Sequence, residues 1–267
     1  MAPQLLIYEQ AIPINKNRHA NYSIKPDNDY SFAKTINSVP LTTVEFSHAS
    51  LDFPIIFAGT DSDIMPVAVL GLKENENLFV AEDGTWNPSY IPTFIRRYPF
   101  VFSSTDDGKT LTLCIDEKYK GCNENGKGER LFDSDGEKTQ YLAAVLKFLQ
   151  EYQAHFQITQ AFCKKLNDLG LFEKMRAKYT TKDGQEKSLT GFMAINRKKL
   201  KELPEETLLA MVKTDELEII YLHLQSMRNF SKMTPLLSED TDTDEETDNQ
   251  EEITSEIMES QDNQTIN

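Results

Sequence analysis

The chain has 267 residues, 28 basic and 43 acidic side chains, and a formal net charge of −15. This length is sufficient for one large hydrophobic core or two small ones. Apolar residues make up 39 % of the chain, a composition that excludes a fibre, a collagen and a multi-span membrane protein. The acidic balance also argues against general nucleic-acid binding, which requires a basic surface.

The acidity is concentrated at the C-terminal end. Residues 238–267 contain 12 Asp and Glu and no Lys or Arg, so the other residues carry a net charge of only −3. This segment is also rich in Thr, Ser, Asn and Gln and has no aromatic residue. Because it has too little apolar surface to offset the entropy of ordering, we expect a disordered tail over 233–267. It is either an acidic interaction arm or a solubilising extension.

The cysteines and the apolar runs predict the compartment. Cys114, Cys122 and Cys163 are odd in number and form no Cys-x-x-Cys pair, which indicates reduced thiols. The first apolar run, residues 5–8, is shorter than the roughly 7–15 residues of a secretory signal. No apolar run approaches the roughly 18 residues of a membrane span. We therefore expect a cytoplasmic protein without a membrane span.

The first half of the chain has the pattern of short strands. Residues 1–38 read as a partly ordered extension with a short strand at 5–8. Apolar runs separated by turn residues predict adjacent antiparallel strands at 53–58, 66–72 and 78–81. Apolar residues at the helical period predict a helix over 89–98, which ends at Pro99. A hairpin follows, with strands at 99–102 and 110–115 and a loop at 104–109.

The second half is mainly helical. Two apolar stripes predict helices at 142–156 and 162–169, the second ending at Gly170. A turn at 182–185 and a strand at 189–196 follow. A helical segment at 200–212 restarts at Pro204. Asp215 and Glu218 have the spacing of a capping box that opens a last, buried helix through about Phe230.

The order of these elements defines the fold class. Strands come first and helices follow with one late strand, which favours an α+β fold over regular βαβ alternation. We expect a mainly antiparallel sheet from the N-terminal half packed against the helices of the C-terminal half. One globular domain would span 39–232, between the extension at 1–38 and the tail at 233–267.

No sequence motif indicates a cofactor or a metal. The four histidines form no His-x-His or His-Glu-x-x-His group, so a zinc site is not expected. The glycine-rich stretch at 121–128 lacks the spacing of a nucleotide-binding loop and reads as turns. No Gly-x-Ser-x-Gly nucleophile motif is present. The prediction is therefore a protein without a bound cofactor or metal.

The segment 86–100 is the strongest candidate for a binding site. It contains the only tryptophan, two adjacent arginines, two tyrosines and three prolines. Aromatic faces beside guanidinium groups suit an anionic or carboxylate-bearing ligand, or a sugar stacked on the indole. The candidate ligand- or partner-binding residues are Trp86, Tyr90, Arg96, Arg97 and Tyr98. Alternatively, Trp86 packs in the core and the arginines pair with acids of the same chain.

Two histidines complete the candidate set. Glu45 would lie one helical turn from His48 and orient or charge it, and His223 lies in the apolar last helix. Each histidine is otherwise a hydrogen-bonded structural residue. A catalytic role would require His48, His223, Glu45 and Arg96 to converge in one cleft, because acid–base catalysis needs hydrogen-bond reach.

Several strings of the chain resemble the bacterial SapC family. They are residues 39–41, 45–46, 53–57, 66–72, 77–80, 84–86, 90–100, 131–133, 191–192 and 222–227. The string Ile-Pro-x-Phe-x-Arg-Arg-Tyr-Pro-Phe at 91–100 is the most specific of them. The resemblance covers roughly 39–230 and implies membership of the family named after a surface-layer gene region, which is unrelated to the peptide-transport permease of the same name. It implies no particular reaction and no catalytic residues.

Together these observations predict a soluble binding or accessory protein. Its partner would be a small anionic ligand or another protein, and not a nucleic acid. The alternative is an enzyme with dispersed His, Glu and Arg residues that acts on a small anionic or sugar-like substrate. The reaction, the ligand and the oligomeric state stay open at this point.

Overall fold

The structure is a computed structural model that describes residues 7–60, 63–105, 110–180 and 185–236. Its strands are β1 (Ala11–Pro13), β2 (Ser23–Ile24), β3 (Ser38–Pro40), β4 (Ile55–Ala58), β5 (Met65–Val69), β6 (Phe100–Thr105), β7 (Thr110–Asp116), β8 (Cys122–Asn123), β9 (Glu129–Arg130), β10 (Phe172–Thr180) and β11 (Glu186–Ile195). Its α-helices are α1 (Lys16–His19), α2 (Phe46–Asp52), α3 (Thr93–Arg96), α4 (Gln140–Asp168), α5 (Arg197–Lys201), α6 (Glu205–Lys213), α7 (Glu216–Ser226) and α8 (Asn229–Leu236).

The strands form three antiparallel sheets, which confirms the predicted α+β class. The largest sheet has the order β10-β11-β4-β5-β3. Two smaller sheets have the orders β1-β7-β6 and β8-β2-β9. Strands from the C-terminal half therefore join the main sheet, through the pairing of Met193 on β11 with Phe57 on β4.

Helix α7 is fixed to the main sheet by polar side chains that bond to strand backbones. Ser226 accepts a hydrogen bond from the N–H of Ile55 at 2.9 Å. His223 donates from Nδ1 to the Ile55 carbonyl at 2.7 Å and accepts from the Ile195 N–H at Nε2 at 3.1 Å. Because buried backbone groups need partners, these bonds position α7 across β4 and β11.

The long helix α4 forms a wall against the other elements. The two predicted helices at 142–156 and 162–169 are one continuous helix of 29 residues. Gly170 ends it with φ of +66°, the left-handed conformation predicted for this position. The side chain of Thr139 accepts a hydrogen bond from the Leu142 N–H and caps its first turn.

Several local predictions differ from the structure. The helix predicted over 89–98 is only the single turn α3, because prolines and turns occupy most of that segment. Residues 78–81 form only an isolated bridge between Val80 and Trp86. Asp215 has φ of +58° and makes no side-chain cap, so the predicted capping box is wrong. A capping box instead joins Thr42 and Glu45.

The ends of the chain also differ in part from the predictions. Ile7 and Tyr8 are not in a strand, and residues 5 and 6 lie outside the described residues. Helix α8 extends to Leu236, past the predicted start of the tail at 233. The rest of the predicted tail, most of the turn at 182–185 and residues 106–109 of the predicted loop lie outside the described residues. None of the described helices is both long and apolar enough to cross a bilayer.

Candidate functional site

The two adjacent arginines of α3 point to different environments. Arg96 is exposed, whereas Arg97 is only 4 % exposed. The guanidinium of Arg97 lies 4.1 Å from the ring centre of Phe94 and 5.2 Å from that of Tyr152. The ring centre of Tyr8 lies 5.8 Å from the same guanidinium. Arg97 is therefore a buried cation enclosed by aromatic rings, while Arg96 is free to meet a ligand.

Arg96 lies on the wall between two cavities. We call them the aromatic cavity and the polar cavity. The aromatic cavity has a volume of about 340 Å³ and the polar cavity about 300 Å³. Arg96 and Phe148 line both of them. These volumes are at the lower end of the range typical of small-molecule sites.

Aromatic rings from four parts of the chain line the aromatic cavity. They belong to Tyr30, Phe32, Tyr98, Tyr119, Tyr141 and Phe148. Tyr98 stacks on Phe32 with ring centres 4.1 Å apart and meets Tyr119 edge-on at 5.5 Å. Burial raises the pKa of Tyr141 to about 12 and also raises the pKa of Tyr98. These phenols therefore stay neutral near pH 7 and provide apolar faces with hydroxyl groups at their edges.

Charged and polar side chains line the polar cavity. They belong to Glu45, His48, Tyr90, Arg96, Glu151 and His155. The ring of His48 stacks on that of Tyr90 with centres 5.5 Å apart. The Nδ1 atom of His155 is buried and has no hydrogen-bond partner among the described residues. A buried nitrogen without a partner is costly and often marks a place where water or a ligand binds.

The Arg96 guanidinium is held in place without a carboxylate. Its Nε donates to the Ile91 carbonyl at 3.0 Å, and an Nη donates to the hydroxyl of Thr93 at 2.9 Å. It lies 5.8 Å from the ring centres of both Tyr90 and Phe148. Within the described part of the chain, no carboxylate forms an ion pair with it. A guanidinium has five N–H donors, so most of them are available for an anion.

Glu45 organises the floor of the polar cavity although it is only 4 % exposed. Its Oε2 accepts from the backbone N–H and the hydroxyl of Thr42 at 2.8 and 2.9 Å. Its Oε1 accepts from the Tyr90 hydroxyl at 2.8 Å and from the Thr93 N–H at 2.7 Å. Burial, and next the Glu45 charge, raise the pKa of Tyr90 to about 12. Glu45 therefore serves as an acceptor that fixes Tyr90 and the start of α3.

Trp86 supports the site from behind. Its side chain is 7 % exposed and packs edge-on against Tyr30 and Phe53. Its indole N–H donates to the Tyr90 carbonyl at 2.9 Å. The ring is thus in the core, and stacking of a sugar on its face is not available in this arrangement.

The other candidate residues divide between the two cavities and the core. His48 and Tyr90 line the polar cavity together with Arg96. Arg97 and Tyr98 line the aromatic cavity together with Arg96. His223 lines neither cavity. It is fully buried, both of its nitrogens are bonded to backbone, and burial lowers its pKa to about 4. The four residues His48, His223, Glu45 and Arg96 therefore do not share one cleft.

Helix α4 contributes side chains to both cavities that no sequence motif indicated. Tyr141, Val145, Phe148, Tyr152 and His155 repeat at helical spacing and face the two cavities. The apolar stripe that predicts a helix at 142–156 includes Val145 and Tyr152, but such a stripe is equally compatible with a cavity wall and with a core. The aromatic residues near Tyr30 lay in the segment read as an extension, and only the fold brings them to Arg96.

The fold and the site define a class of protein: an antiparallel α+β domain with two adjoining cavities that share an arginine. Within the described residues, no group of His, Cys, Asp and Glu has the arrangement needed to hold a metal ion. The SapC family model matches residues 14–233, so the chain belongs to the SapC family. No curated protein and no solved structure matches this chain.

Proposed function

We propose that this protein is a binding protein for a small anionic ligand with a flat apolar part. The observation that carries the proposal is Arg96, which lines both cavities without a carboxylate partner among the described residues. The carboxylate or other anion of the ligand would pair with this guanidinium. The apolar part would enter the aromatic cavity.

The chemistry of the two cavities supports this orientation. A guanidinium binds a carboxylate through two parallel N–H···O bonds, which are stronger than neutral hydrogen bonds. The Arg96 side chain is restrained by Ile91 and Thr93, so little side-chain entropy is lost when an anion binds. The rings of Tyr98 and Phe148 offer faces for an aromatic or alicyclic group. The volume of about 340 Å³ exceeds the roughly 150 Å³ of a cavity that holds benzene.

The proposal is tested with benzoate as the probe and Trp86 as the reporter. Trp86 is the only tryptophan and donates to Tyr90 at the edge of the site, so its fluorescence responds to occupancy. Benzoate should bind, and R96Q should weaken binding about 10- to 100-fold, the equivalent of one charge-assisted hydrogen bond. Benzamide, which has the same shape without the charge, should bind more weakly than benzoate.

Arg197 offers a matched control. It is also an exposed arginine beside a tyrosine, with its guanidinium 6.0 Å from the ring centre of Tyr221 and outside both cavities. R197Q should therefore leave benzoate binding unchanged. Equal losses in R96Q and R197Q, or no binding of benzoate, phenyl phosphate and glucuronate by the wild type, would contradict the proposal.

An enzyme is the second candidate, and the polar cavity favours it. His48, His155 and Arg96 line the same space. The four hydrogen bonds to Glu45 occupy its oxygens, which leaves His48, His155 and Glu151 as the lining groups able to transfer a proton. Release of p-nitrophenol from its phosphate or glucuronide, abolished by H48Q or H155Q, would support this candidate. Binding of benzoate without any such turnover would favour the binding protein.

We also infer that the protein is located in the bacterial cytoplasm. The three cysteines support a reducing compartment, because none of them is paired in a disulfide. Burial raises the pKa of both Cys122 and Cys163 to about 12, so both thiols are unreactive near pH 7. Fractionation of the native host, followed by detection of the protein in each fraction, tests the location.

A further inference from the structure

One segment of the chain is strongly basic, in contrast to the acidic C-terminal segment. Residues 171–201 contain nine Lys and Arg and only three Asp and Glu, a net charge of +6. Residues 238–267 carry −12. Although the chain as a whole is acidic, it therefore contains two segments of opposite net charge.

The positive charges of β10 form one stripe. Lys174, Arg176 and Lys178 are exposed and alternate with Met175, Ala177 and Tyr179, which pack into the main core cluster. Alternate side chains of a strand point to opposite faces, so the three basic residues lie on the face turned away from that cluster. Strand β10 is also an edge strand, so the stripe is open to solvent along the sheet edge.

Helix α5 continues the stripe. Its exposed residues include Arg197, Lys198, Lys199 and Lys201. The side chain of Asn196, which caps α5, donates to Glu173 of β10 at 2.5 Å. Lys199 donates to the Gly170 carbonyl, just before β10, at 3.1 Å. These two bonds join α5 to the start of β10, and we call the combined set of exposed residues the basic surface.

Most residues of the basic surface form no ion pair with the described acids, although Glu202 directly follows Lys201. Within the described part of the chain, Lys174, Arg176, Arg197, Lys198 and Lys201 form no ion pair. Glu173 is half-buried and already accepts the Asn196 amide. Five basic side chains without an ion pair on one surface attract a polyanion.

We propose that the acidic segment 239–262 of the same chain docks on the basic surface. Helix α8 leads into this segment and contacts β10, with Phe230 of α8 packed 5.9 Å from Phe192 of β11. The 31 residues after Leu236 span up to about 100 Å when extended, which is far enough to pass around the edge strand. A tethered segment has an effective concentration of about millimolar, so weak charge pairing suffices for occupancy.

The docked segment would shield the basic surface from other polyanions. An acidic partner, a nucleic acid or an anionic lipid would then have to compete with an intramolecular ligand. This interaction is independent of the ligand site at Arg96, because no residue of the basic surface lines either cavity.

Zero-length carbodiimide crosslinking of the full chain tests the proposal. The reagent joins a lysine amine to a carboxylate in direct contact, and peptide mass spectrometry identifies the pair. Crosslinks from residues 239–262 should concentrate on Lys174, Lys198 and Lys201. Lys147 of α4 is the control, since its side chain is 78 % exposed and lies outside the basic surface.

Two further conditions define the expected result. The crosslinks should fall when salt is raised from about 0.01 to about 1 M, because the Debye length shortens from about 30 to about 3 Å. In a mixture of ¹⁴N- and ¹⁵N-labelled protein, the crosslinked peptides should carry a single label, which shows contact within one chain.

Three results would overturn the proposal. They are equal crosslinking of Lys147 and the basic surface, mixed labels in most crosslinked peptides, and no crosslink from residues 239–262 to the basic surface. A full-length variant with the twelve acids of the segment changed to Asn and Gln serves as the matched control. It should lose these crosslinks and bind a sulfated resin more tightly than a variant that also carries K174Q, K198Q and K201Q.

Discussion

The Tyr90 hydroxyl donates to Oε1 of Glu45 at 2.8 Å and so joins two segments that lie 45 residues apart. The same carboxylate also accepts from the N–H of Thr93, the first residue of the turn α3 that carries Arg96. Glu45 in this way connects the start of α2 to the segment that presents Arg96. The geometry of the polar cavity therefore depends on a single buried carboxylate.

Replacing Glu45 with Gln should destabilise the protein, because Glu45 is a buried hydrogen-bond acceptor. Each oxygen of Glu45 accepts two hydrogen bonds. In Gln, an NH₂ group would replace one oxygen and face two donors, so these buried donors would lose their acceptor. We expect E45Q to lower the free energy of unfolding by about 2–4 kcal/mol. Urea unfolding followed by circular dichroism measures the change.

Glu151 provides the control for that substitution. It also lines the polar cavity, but its side chain is 58 % exposed and its ion pair with Lys147 spans 3.8 Å. E151Q should change the unfolding free energy by no more than about 0.5 kcal/mol. A loss in E151Q as large as that in E45Q would show that the hydrogen bonds of Glu45 are not the cause.

The adjacent arginines should respond in opposite ways to the same substitution. R97Q removes a buried cation from the rings of Phe94 and Tyr152 and should cost about 2–4 kcal/mol of stability. R96Q alters an exposed side chain and should cost less than about 1 kcal/mol. Urea unfolding of both variants gives the comparison, and similar losses would contradict the different roles assigned to them.

Tyr90 should make stability fall at high pH. Its pKa in the folded protein is about 12, above the ordinary value of 10.0, so folding favours the neutral phenol. That contribution is complete below pH 10 and is lost as the pH rises towards 12. Because Tyr90 is only half-buried, we expect the free energy of unfolding to fall by about 1 kcal/mol over this pH range.

The Y90F variant isolates this effect. The stability difference between wild type and Y90F should be constant below pH 10 and should shrink above it. Absorbance titration at 295 nm should show one fewer tyrosine ionising near pH 12. A Y90F titration curve that instead loses a tyrosine near pH 10 would place the phenol in an ordinary, solvated setting.

His223 should make stability fall at acid pH. Burial lowers its pKa from 6.5 to about 4, so the folded state favours the neutral ring. The stabilising contribution is present above pH 6.5 and is lost as the pH falls through 4. The shift corresponds to about 3 kcal/mol.

Measurement of unfolding free energy from pH 7 to pH 4 in H223Q tests this dependence. Glutamine keeps a donor and an acceptor but does not titrate, so H223Q should lose about 3 kcal/mol less than the wild type across that range. If H223Q and wild type lose the same stability, the titration of another group governs the acid range.

Local patterns account for the features that the sequence predicted correctly. The hairpin of β6 and β7, the late strand β11, the end of α4 at Gly170 and the α+β order all follow from apolar period and turn residues. The same holds for the break before α6 at Pro204. These signals lie within a few residues of the elements they determine.

Local patterns also explain the errors. The sequence does not predict strand β10, because its exposed alternate residues are basic and disfavour a strand. The strand is instead stabilised by its antiparallel pairing with β11. Asp215 and Glu218 have the spacing of a capping box, but Asp215 adopts a left-handed backbone conformation that prevents the cap. Spacing alone does not set the backbone angle at which a cap forms.

The sequence by itself determined the class of fold, the family, and the charge separation between the body and its C-terminal segment, and it predicted a binding site in the segment 86–100. Only the tertiary structure decided that Arg96 faces two cavities, that Arg97 is buried behind the aromatic cavity, and that Trp86 lies in the core. The physical reason is that exposure depends on contacts between residues far apart in the chain. Glu45, Phe148 and Tyr30 reach the neighbourhood of Arg96 through packing that no local period encodes.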